Sequence, residues 1–388
     1  MERTVKTSTG KHIWLWIGLI GLLFTACIPA DDAESGASDI VEEPVAICDP
    51  AAKDLAPAVV GTIYQDNDLS DESIYNAGFD TAIDAPLPGI VLSLIGAEDE
   101  RTFLSCDDGS FATGDLPDGT YLLSPALDLD QHTSSKNLSR RLPEAIREGQ
   151  LSIITFGDSV PVEGSSYLFP ARLADLLAPL AEITNHNVAV GGTTSQDWVP
   201  GTNLFENTLV PQLDGADVVI ISLGGNDVLV YANNAMAGGG GITAAVDGLN
   251  DFLLELLDTV YTISHEIRNH NPTVDIVYCL YPNYATSDIW ASVAGNFKPF
   301  IEDLLQNGIE LVRAAMDPTE DIILVDMYGA TAGLDLDDYL FDLLHFNDLG
   351  QDLYAKEIFK ALGGVRIDSA VPTVERNFGV VFGPPETP

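Results

Sequence analysis

From residue 151 onward, short apolar runs alternate with segments of helical spacing, and this alternation narrows the possible folds more than any other feature of the chain. Strands that alternate with helices indicate a parallel sheet with helices packed on its faces. The predicted strands are residues 151–156, 186–190, 217–223, 274–280 and 321–326. A helix is predicted after each strand, with residues 244–268 and 299–315 showing the clearest helical period. We therefore expect an α/β unit that spans residues 151–366.

Small and polar residues follow the first three strands, and a further block lies near the end of the unit. The four blocks are Gly157-Asp158-Ser159, Gly192, Gly224-Gly225-Asn226-Asp227 and Asp342-Leu343-Leu344-His345. Each block alone is typical of a turn, a loop or a surface helix. In open parallel sheets, however, ligands bind beyond the carboxyl ends of the strands. The order and placement of the blocks therefore predict one shared site at that edge.

This spaced set of Ser, Gly, Asn and His resembles the SGNH hydrolase family, also called GDSL esterases and lipases. The resemblance implies a three-layer αβα fold with a five-stranded parallel sheet of flavodoxin-like order. It also implies a Ser159 nucleophile, a His345 base and an orienting Asp342. The oxyanion would be held by the backbone amides of Ser159 and Gly192 and by the side chain of Asn226.

Further roles are expected for residues around these blocks. We expect a helix to begin near Glu163, so that its dipole favours an oxyanion at Ser159. Asp158 and Asp227 are expected to brace their loops, and residues 228–241 form either a mobile flap or only a loop. The aromatic residues predicted near the substrate groove are Trp198, Tyr231, Tyr281 and Tyr284. No His or Cys spacing is typical of a metal site, and no cofactor is expected.

Residues 1–26 are typical of an export signal, because basic residues precede an apolar stretch too short for a membrane span. The stretch ends at Phe24-Thr25-Ala26-Cys27, which resembles a bacterial lipobox; an ordinary signal peptide is the alternative. The resemblance implies lipidation of Cys27, and residues 27–57 would form an acidic tether. We therefore expect an exported bacterial protein, lipid-anchored at the outer membrane or cell surface.

Residues 58–128 alternate short apolar runs with turn signals, which predicts a small all-β sandwich. This region loosely resembles the carboxypeptidase-regulatory-like and collagen-adhesin B-type modules of bacterial surface proteins. Acidic side chains within it either ligate calcium or form a solvated loop, and these are Asp66, Asp68 and Asp71. Residues 129–150 are predicted to be a linker, and residues 367–388 an unstructured or loosely docked tail.

The linker concentrates basic residues that would pack on acidic neighbours, namely Lys136, Arg140, Arg141 and Arg147. Cys48 and Cys106 could pair in an oxidising compartment, whereas Cys279 is expected to be a buried strand residue.

The chain has 59 acidic and 17 basic residues, which gives a formal net charge of −42. Such a charge repels nucleic acid and anionic membrane faces. It suits a saline or extracellular setting, although it also fits a merely acidic secreted protein.

Together these features predict a serine esterase that acts on a small-molecule or polysaccharide ester. The sequence leaves open whether the substrates are O-acetyl groups on polysaccharide or short-chain and lipid esters. Thioesterase or lysophospholipase action would use the same machinery. From a different class, the alternative is a surface binding or adhesion lipoprotein whose hydrolase-like domain is inactive. The oligomeric state is not predicted.

Overall fold

The computed structural model describes residues 48, 58–65, 84–97, 99–114, 116–126, 134–135, 141–237, 246–295, 298–317, 320–368 and 373–381. The predicted signal, Cys27 and the acidic residues Asp66, Asp68 and Asp71 lie outside the described residues. Within the described ranges, no helix is both long and apolar enough to cross a membrane.

Strands precede helices in the described part of the chain, and the two kinds of element are mixed after residue 141. The strands are β1 (Ala58–Gln65), β2 (Ala85–Pro86), β3 (Val91–Ile95), β4 (Glu100–Leu104), β5 (Ser110–Ala112), β6 (Gly119–Ala126), β7 (Ser134–Ser135), β8 (Gln150–Gly157), β9 (Glu182–Asn187), β10 (Val218–Ser222), β11 (Asp275–Cys279), β12 (Ile322–Val325), β13 (Gly364–Ile367), β14 (Thr373–Glu375) and β15 (Phe378–Val381). The α-helices are α1 (Leu142–Glu148), α2 (Phe169–Leu177), α3 (Val210–Leu213), α4 (Gly225–Ala237), α5 (Leu249–His270), α6 (Asp288–Ala294), α7 (Lys298–Ala315), α8 (Met327–Thr331) and α9 (Asp348–Ala361).

A five-stranded sheet forms the centre of the α/β unit, and all of its strand pairs are parallel. The strand order is β12-β11-β10-β8-β9. The first strand of the sheet, β8, therefore lies between the second and the third, and the order reverses at this point. The predicted αβα architecture with flavodoxin-like strand order is confirmed.

Apolar side chains cover both faces of this sheet, which explains why its central strands are continuous apolar runs in the sequence. Every residue of β10 and of β11 is buried. Helices α1, α2 and α9 contribute to the core on one face, and α5 and α7 contribute to the core on the other. The packed sheet thus fixes the carboxyl ends of its strands, where the predicted blocks begin.

The N-terminal strands form two further sheets, and both include strands from the C-terminal end of the chain. One sheet has the antiparallel order β13-β6-β3-β4. In the other, β1 pairs in parallel with β14 and β15 and antiparallel with β2 and β5. Phe111 of β5, Val365 of β13 and Phe378 of β15 lie in the same apolar core. The region predicted as residues 58–128 is therefore completed by C-terminal strands.

This pairing corrects two of the predicted segments. Residues 373–381, which were predicted to belong to a loose tail, form β14 and β15, because β1 offers them unpaired backbone groups. The predicted linker, residues 129–150, includes β7, α1 and the first residue of β8. Neither segment has enough apolar periodicity to reveal its pairing partners in the sequence.

The basic residues of the predicted linker pack on acidic neighbours where the structure describes them. The guanidinium of Arg141 donates to Asp217 at 2.7 Å, and that of Arg147 donates to Glu100 of β4 at 2.7 Å. Lys136 and Arg140 lie outside the described residues.

The cysteines follow the possibilities that the sequence allowed. Cys48 and Cys106 form a disulfide, and Cys279 is a buried residue of β11.

Candidate active site

Three side chains from distant parts of the chain form one line of hydrogen bonds. Ser159 Oγ lies 2.9 Å from His345 Nε2, and His345 Nδ1 lies 2.8 Å from Asp342 Oδ2. Burial opposes the ionisation of Asp342, but hydrogen bonds from His345 and nearby backbone amides outweigh it and hold the pKa of this carboxyl below its ordinary value. The structure therefore brings together the hydroxyl, imidazole and carboxylate that the sequence predicted.

The loop that carries His345 is fixed at both ends. Asp342 Oδ1 accepts hydrogen bonds from the backbone amides of Leu344 and His345, at 2.9 and 2.8 Å, so the carboxylate closes its own turn. The next residue, Phe346, is fully buried, and its ring packs edge-on against Tyr354 of α9 with centroids 5.1 Å apart. The imidazole is thus held in place by the core as well as by its carboxylate partner.

A sharp turn after β8 presents Ser159. Gly157 has φ +137°, and a Cβ on this residue would lie 1.9 Å from the carbonyl oxygen of Ser222, so the position requires glycine. The amides of Val162 and Glu163 donate to the Ser159 carbonyl, but this turn does not continue as a helix. Gly164 has φ +91°, outside the helical region, and the next helix begins at Phe169. The predicted helix near Glu163, with its dipole at Ser159, is therefore wrong.

The predicted oxyanion donors are joined through Thr193, a residue that no sequence motif had marked. Thr193 Oγ1 donates to the Gly157 carbonyl at 3.0 Å, and the Thr193 carbonyl accepts from Asn226 Nδ2 at 2.9 Å. The second N–H of the Asn226 amide is not used by this bond. Among the described residues, the backbone amides of Ser159 and Gly192 have no acceptor. These N–H groups are thus free to donate to a bound group.

Asp158, next to Ser159, is almost completely buried, with 2% of its surface exposed. Burial raises its pKa to about 6, although hydrogen bonds from the Tyr281 hydroxyl and the Val160 amide favour the charged form. Burial and the Asp158 charge raise the pKa of Tyr281 well above its ordinary value, so the hydroxyl stays protonated and donates to the carboxylate. Asp158 braces the nucleophile turn, as expected.

Asp227 has a similar structural role beside Asn226. Its carboxylate accepts from the Ser195 amide at 3.0 Å and from the Ser195 hydroxyl at 2.6 Å. Burial raises the pKa of Asp227 above its ordinary value. The residue therefore ties the start of α4 to the loop that follows Gly192.

The aromatic residues predicted near the groove have different positions in the structure. Trp198 is fully buried; its ring packs on Phe156 and its Nε1 donates to Thr193 Oγ1 at 3.0 Å, so its placement in the groove is corrected. Tyr231 stacks on Phe252 with centroids 4.4 Å apart and lines a cleft with Thr194. Residues 228–237 belong to α4 rather than to a flap or loop, and residues 238–241 lie outside the described ranges.

An apolar cavity of about 140 Å³ lies next to these blocks. Its lining includes Gly225, which precedes Asn226, and Leu344, which precedes His345. Tyr281 and Tyr284 also line it, and the remaining walls come mainly from α5 and α7. Their apolar residues in the lining are Leu249, Leu253, Leu256, Leu304, Leu305, Ile309 and Val312.

A second carboxylate lies beside His345 and was not predicted from the sequence. Glu163 Oε2 is 3.5 Å from His345 Nε2, on the same nitrogen that faces Ser159. No sequence motif joins these two residues, which are far apart in the chain. Among the described residues, no group of three or more His, Cys, Asp or Glu side chains is arranged to hold a metal ion.

Comparison with known proteins identifies the α/β unit. Residues 154–353 match the model of the GDSL-like lipase/acylhydrolase family. No curated protein matches the chain. Among solved structures, a lipase from a goat rumen metagenome is 16% identical, with a TM-score of 0.44, and the match covers 55% of this chain and 98% of the lipase.

An extracellular lipase from Streptomyces rimosus is 16% identical, with a TM-score of 0.41 and coverage of 54% of this chain and 99% of the other. The acetylxylan esterase Axe2 from Geobacillus stearothermophilus is 17% identical, with a TM-score of 0.40 and coverage of 56% and 97%. The family model itself spans more than half of the sequence and includes Ser159, Gly192, Asn226 and His345. The chain therefore belongs to the GDSL-like lipase/acylhydrolase family.

Proposed function

We propose that this protein hydrolyses carboxylic esters through an acyl-enzyme formed on Ser159. The observation that carries the proposal is the continuous line of hydrogen bonds from Ser159 Oγ through His345 to Asp342. A serine hydroxyl becomes an effective nucleophile when an adjacent, oriented base accepts its proton. This arrangement provides both the base and the group that orients it.

In the first half of the reaction, Ser159 Oγ attacks the ester carbonyl while His345 Nε2 accepts the hydroxyl proton. Asp342 keeps the other proton on Nδ1 and stabilises the imidazolium. The carbonyl oxygen gains negative charge, which the amides of Ser159 and Gly192 and the side chain of Asn226 would stabilise. Each such donor contributes about 3 kcal/mol to transition-state stabilisation.

In the second half, the imidazolium returns its proton to the departing alcohol oxygen, and the acyl group stays bonded to Ser159. His345 then accepts a proton from water, whose oxygen attacks the acyl carbonyl carbon. The bond between this carbon and Ser159 Oγ breaks, the imidazolium returns its proton to Oγ, and the carboxylic acid is released. His345 Nε2 must therefore face both the serine and the alcohol half of the substrate.

The apolar cavity supports an acyl group longer than acetyl. Its volume of about 140 Å³ is close to the roughly 150 Å³ of a cavity that holds benzene, a six-carbon molecule. An acetyl group would leave most of that volume empty. Burial of each CH₂ contributes about 0.8 kcal/mol, or roughly fourfold in kcat/KM. We therefore propose esters of short and medium-chain acids, up to about six acyl carbons, as the preferred substrates.

A series of p-nitrophenyl esters from acetate to decanoate tests both parts of this proposal. The wild-type protein should reach its highest kcat/KM near hexanoate, and Ser159→Ala should lose at least about 1,000-fold. Ser292→Ala, at an exposed serine of α6, is the matched control and should keep the wild-type rate. Equal rates for wild type and Ser159→Ala would contradict the proposed esterase activity and favour an inactive binding protein.

A second variant examines the acyl cavity separately. Ile309→Trp places a larger side chain in the wall formed by α7, so the ratio of hexanoate to acetate hydrolysis should fall several-fold. A maximum at acetate in the wild type, or an unchanged ratio in the variant, would instead favour O-acetyl substrates.

We propose further that the protein is exported and lipid-anchored at Cys27. The lipobox-like sequence supports this proposal, and so does the disulfide between Cys48 and Cys106, because disulfides persist in oxidising compartments. Labelled palmitate should be incorporated by the wild-type protein and not by Cys27→Ala when each is expressed in a bacterial host. Equal labelling of the wild-type protein and Cys27→Ala would contradict lipidation at Cys27.

A further inference from the structure

The carboxylate of Glu163 lies beside the imidazole of His345. Its Oε2 is 3.5 Å from His345 Nε2. On the other side, a Cβ on Gly191 would lie 2.5 Å from Glu163 Oε1 and 3.7 Å from the Cβ of Ser159. The carboxylate therefore occupies the space between the imidazole and the glycine loop, beside the reacting hydroxyl.

The backbone holds Glu163 in this position. Its amide donates to the Ser159 carbonyl at 2.9 Å, and its carbonyl accepts from Gln351 Nε2 at 3.3 Å. Gln351 of α9 is fully buried, and its Oε1 accepts from the amide of Phe169. Its side chain therefore holds the turn at Glu163 against α9. At Gly164 the chain turns away with a positive φ against the carbonyl of Phe346. The turn is thus packed from both sides.

The negative charge of Glu163 lies next to the imidazole of His345. In the described part of the chain, its ion-pair partner within 4.0 Å is His345, and no Lys or Arg side chain reaches it. The Glu163 side chain is 52% exposed, so a bound substrate can reach the carboxylate from solvent.

We propose that Glu163 is a specificity-determining residue that selects the alcohol half of the ester by charge. The inference rests on the proposed function, in which His345 Nε2 protonates the departing alcohol oxygen. That oxygen must come within hydrogen-bond distance of Nε2, and the rest of the alcohol then lies within a few Å of Glu163. Cationic alcohols, and neutral alcohols rich in hydroxyl groups, are favoured there. Alcohols that carry phosphate, sulfonate or carboxylate close to the ester are disfavoured.

The size of the effect follows from Coulomb's law. A unit charge about 6 Å from the carboxylate changes the rate by roughly 3-fold at the dielectric constant of water and by up to about 100-fold at the effective dielectric of a protein surface. Because Glu163 is half exposed, solvent screening places the effect in the lower part of that range. We expect about 5-fold for each charge on the alcohol.

The net charge of −42 complicates the experiment, because it attracts every cationic substrate and repels every anionic one. A distant carboxylate that is neutralised in the same way separates this general effect from the local one. Glu182→Gln provides this control, since Glu182 is exposed at the first residue of β9, the end of the sheet opposite to the active site.

The experiment compares kcat/KM of the full-length protein for three butanoate esters of similar size. Their alcohols are choline, which is cationic, 3,3-dimethylbutanol, which is neutral, and 3-hydroxypropanesulfonate, which is anionic. In Glu163→Gln, the cationic-to-neutral ratio should fall about 5-fold and the anionic-to-neutral ratio should rise about 5-fold. In Glu182→Gln, both ratios should stay close to those of the wild type.

Unchanged ratios in Glu163→Gln, or equal changes in the two variants, would overturn the proposal. Thermal unfolding establishes that each variant is folded, and Glu163→Ala serves as a second neutral variant if the amide disturbs the turn. The two proposals fail in different ways. If Ser159→Ala keeps the wild-type rate, the proposed function is wrong. If Ser159→Ala loses its activity but the two kcat/KM ratios are unchanged in Glu163→Gln, only the proposed role of Glu163 is wrong.

Discussion

Replacing Asp158 by asparagine should change how the stability of the protein depends on pH. Asp158 is 2% exposed, and burial raises its pKa from an ordinary value of 3.8 to about 6. The folded protein therefore binds a proton on Asp158 more tightly than the unfolded chain does. This contribution to stability is fully present below pH 4 and is lost as the pH rises through about 6.

The magnitude follows from the difference between the two pKa values. Each factor of ten in proton affinity is worth about 1.4 kcal/mol, so Asp158 should lower the free energy of unfolding by about 2.5 kcal/mol between pH 4 and pH 7.5. Asparagine has nearly the same shape and no charge. Its Oδ1 can still accept from the Val160 amide, and its Nδ2 can donate to the Tyr281 hydroxyl. Asp158→Asn should therefore keep the packing and remove the titration.

Urea unfolding of both proteins at intervals from pH 4 to pH 7.5 measures this effect. The stability of Asp158→Asn relative to wild type should rise by about 2.5 kcal/mol across the range. Other titrating groups, including Asp342 with its lowered pKa, contribute to the free energy of unfolding of both proteins. Their contributions therefore cancel when the wild-type value is subtracted from that of Asp158→Asn. Asp303→Asn, at an exposed aspartate of α7, is the control for the removal of one carboxylate. If the Asp158→Asn curve runs parallel to that of the wild type, the buried charge is not destabilising and the reasoning fails.

Three further outcomes follow from the structure. Asp342→Asn should lower kcat for p-nitrophenyl butanoate by roughly 10,000-fold in a protein that still unfolds cooperatively, and a loss below tenfold would contradict its orienting role. Thr193→Val removes the hydroxyl that donates to the Gly157 carbonyl, so urea unfolding should reveal a loss of about 1–3 kcal/mol; no loss would mean that the loop is held by other contacts. Deletion of residues 369–388 removes both parallel partners of β1 and the buried Phe378. Calorimetry should detect a destabilisation of at least about 1.5–3 kcal/mol, which is the contribution of burying one large apolar side chain. No destabilisation would mean that β14 and β15 do not contribute to stability.

The parts of the fold that the sequence predicted well are those where one local signal is sufficient. Strands β10 and β11 are buried on both faces, so their continuous apolar runs were visible without knowledge of their partners. The placement of Ser159, Gly192 and Asn226 at one edge of the sheet was predictable for a related reason. Parallel strands bring their carboxyl ends to one edge of a sheet, and so blocks at those ends must lie near one another.

The parts that the sequence did not predict depend on the partner rather than on the segment. Strand β9 was expected at residues 186–190 but lies at Glu182–Asn187, because it is an edge strand with mostly polar residues and its register is set by β8. Strands β14 and β15 are short, and their pairing partner β1 is about 300 residues away in the chain. Trp198 was expected in the groove because an aromatic side chain suits either a groove or a core, and only packing distinguishes the two.

The adjacent glycines at 191 and 192 illustrate how a site can explain a motif that local reasoning leaves ambiguous. Gly192 has φ +81°, a conformation that glycine adopts without steric strain, and its backbone amide has no acceptor among the described residues. Gly191 faces Glu163, since a Cβ there would lie 2.5 Å from the end of that flexible side chain, which would have to shift. Gly192 thus leaves its backbone N–H without an acceptor among the described residues, and Gly191 leaves space for the carboxylate of Glu163. The positive φ therefore accounts for glycine at position 192, whereas glycine at position 191 lets the loop lie against the Glu163 carboxylate.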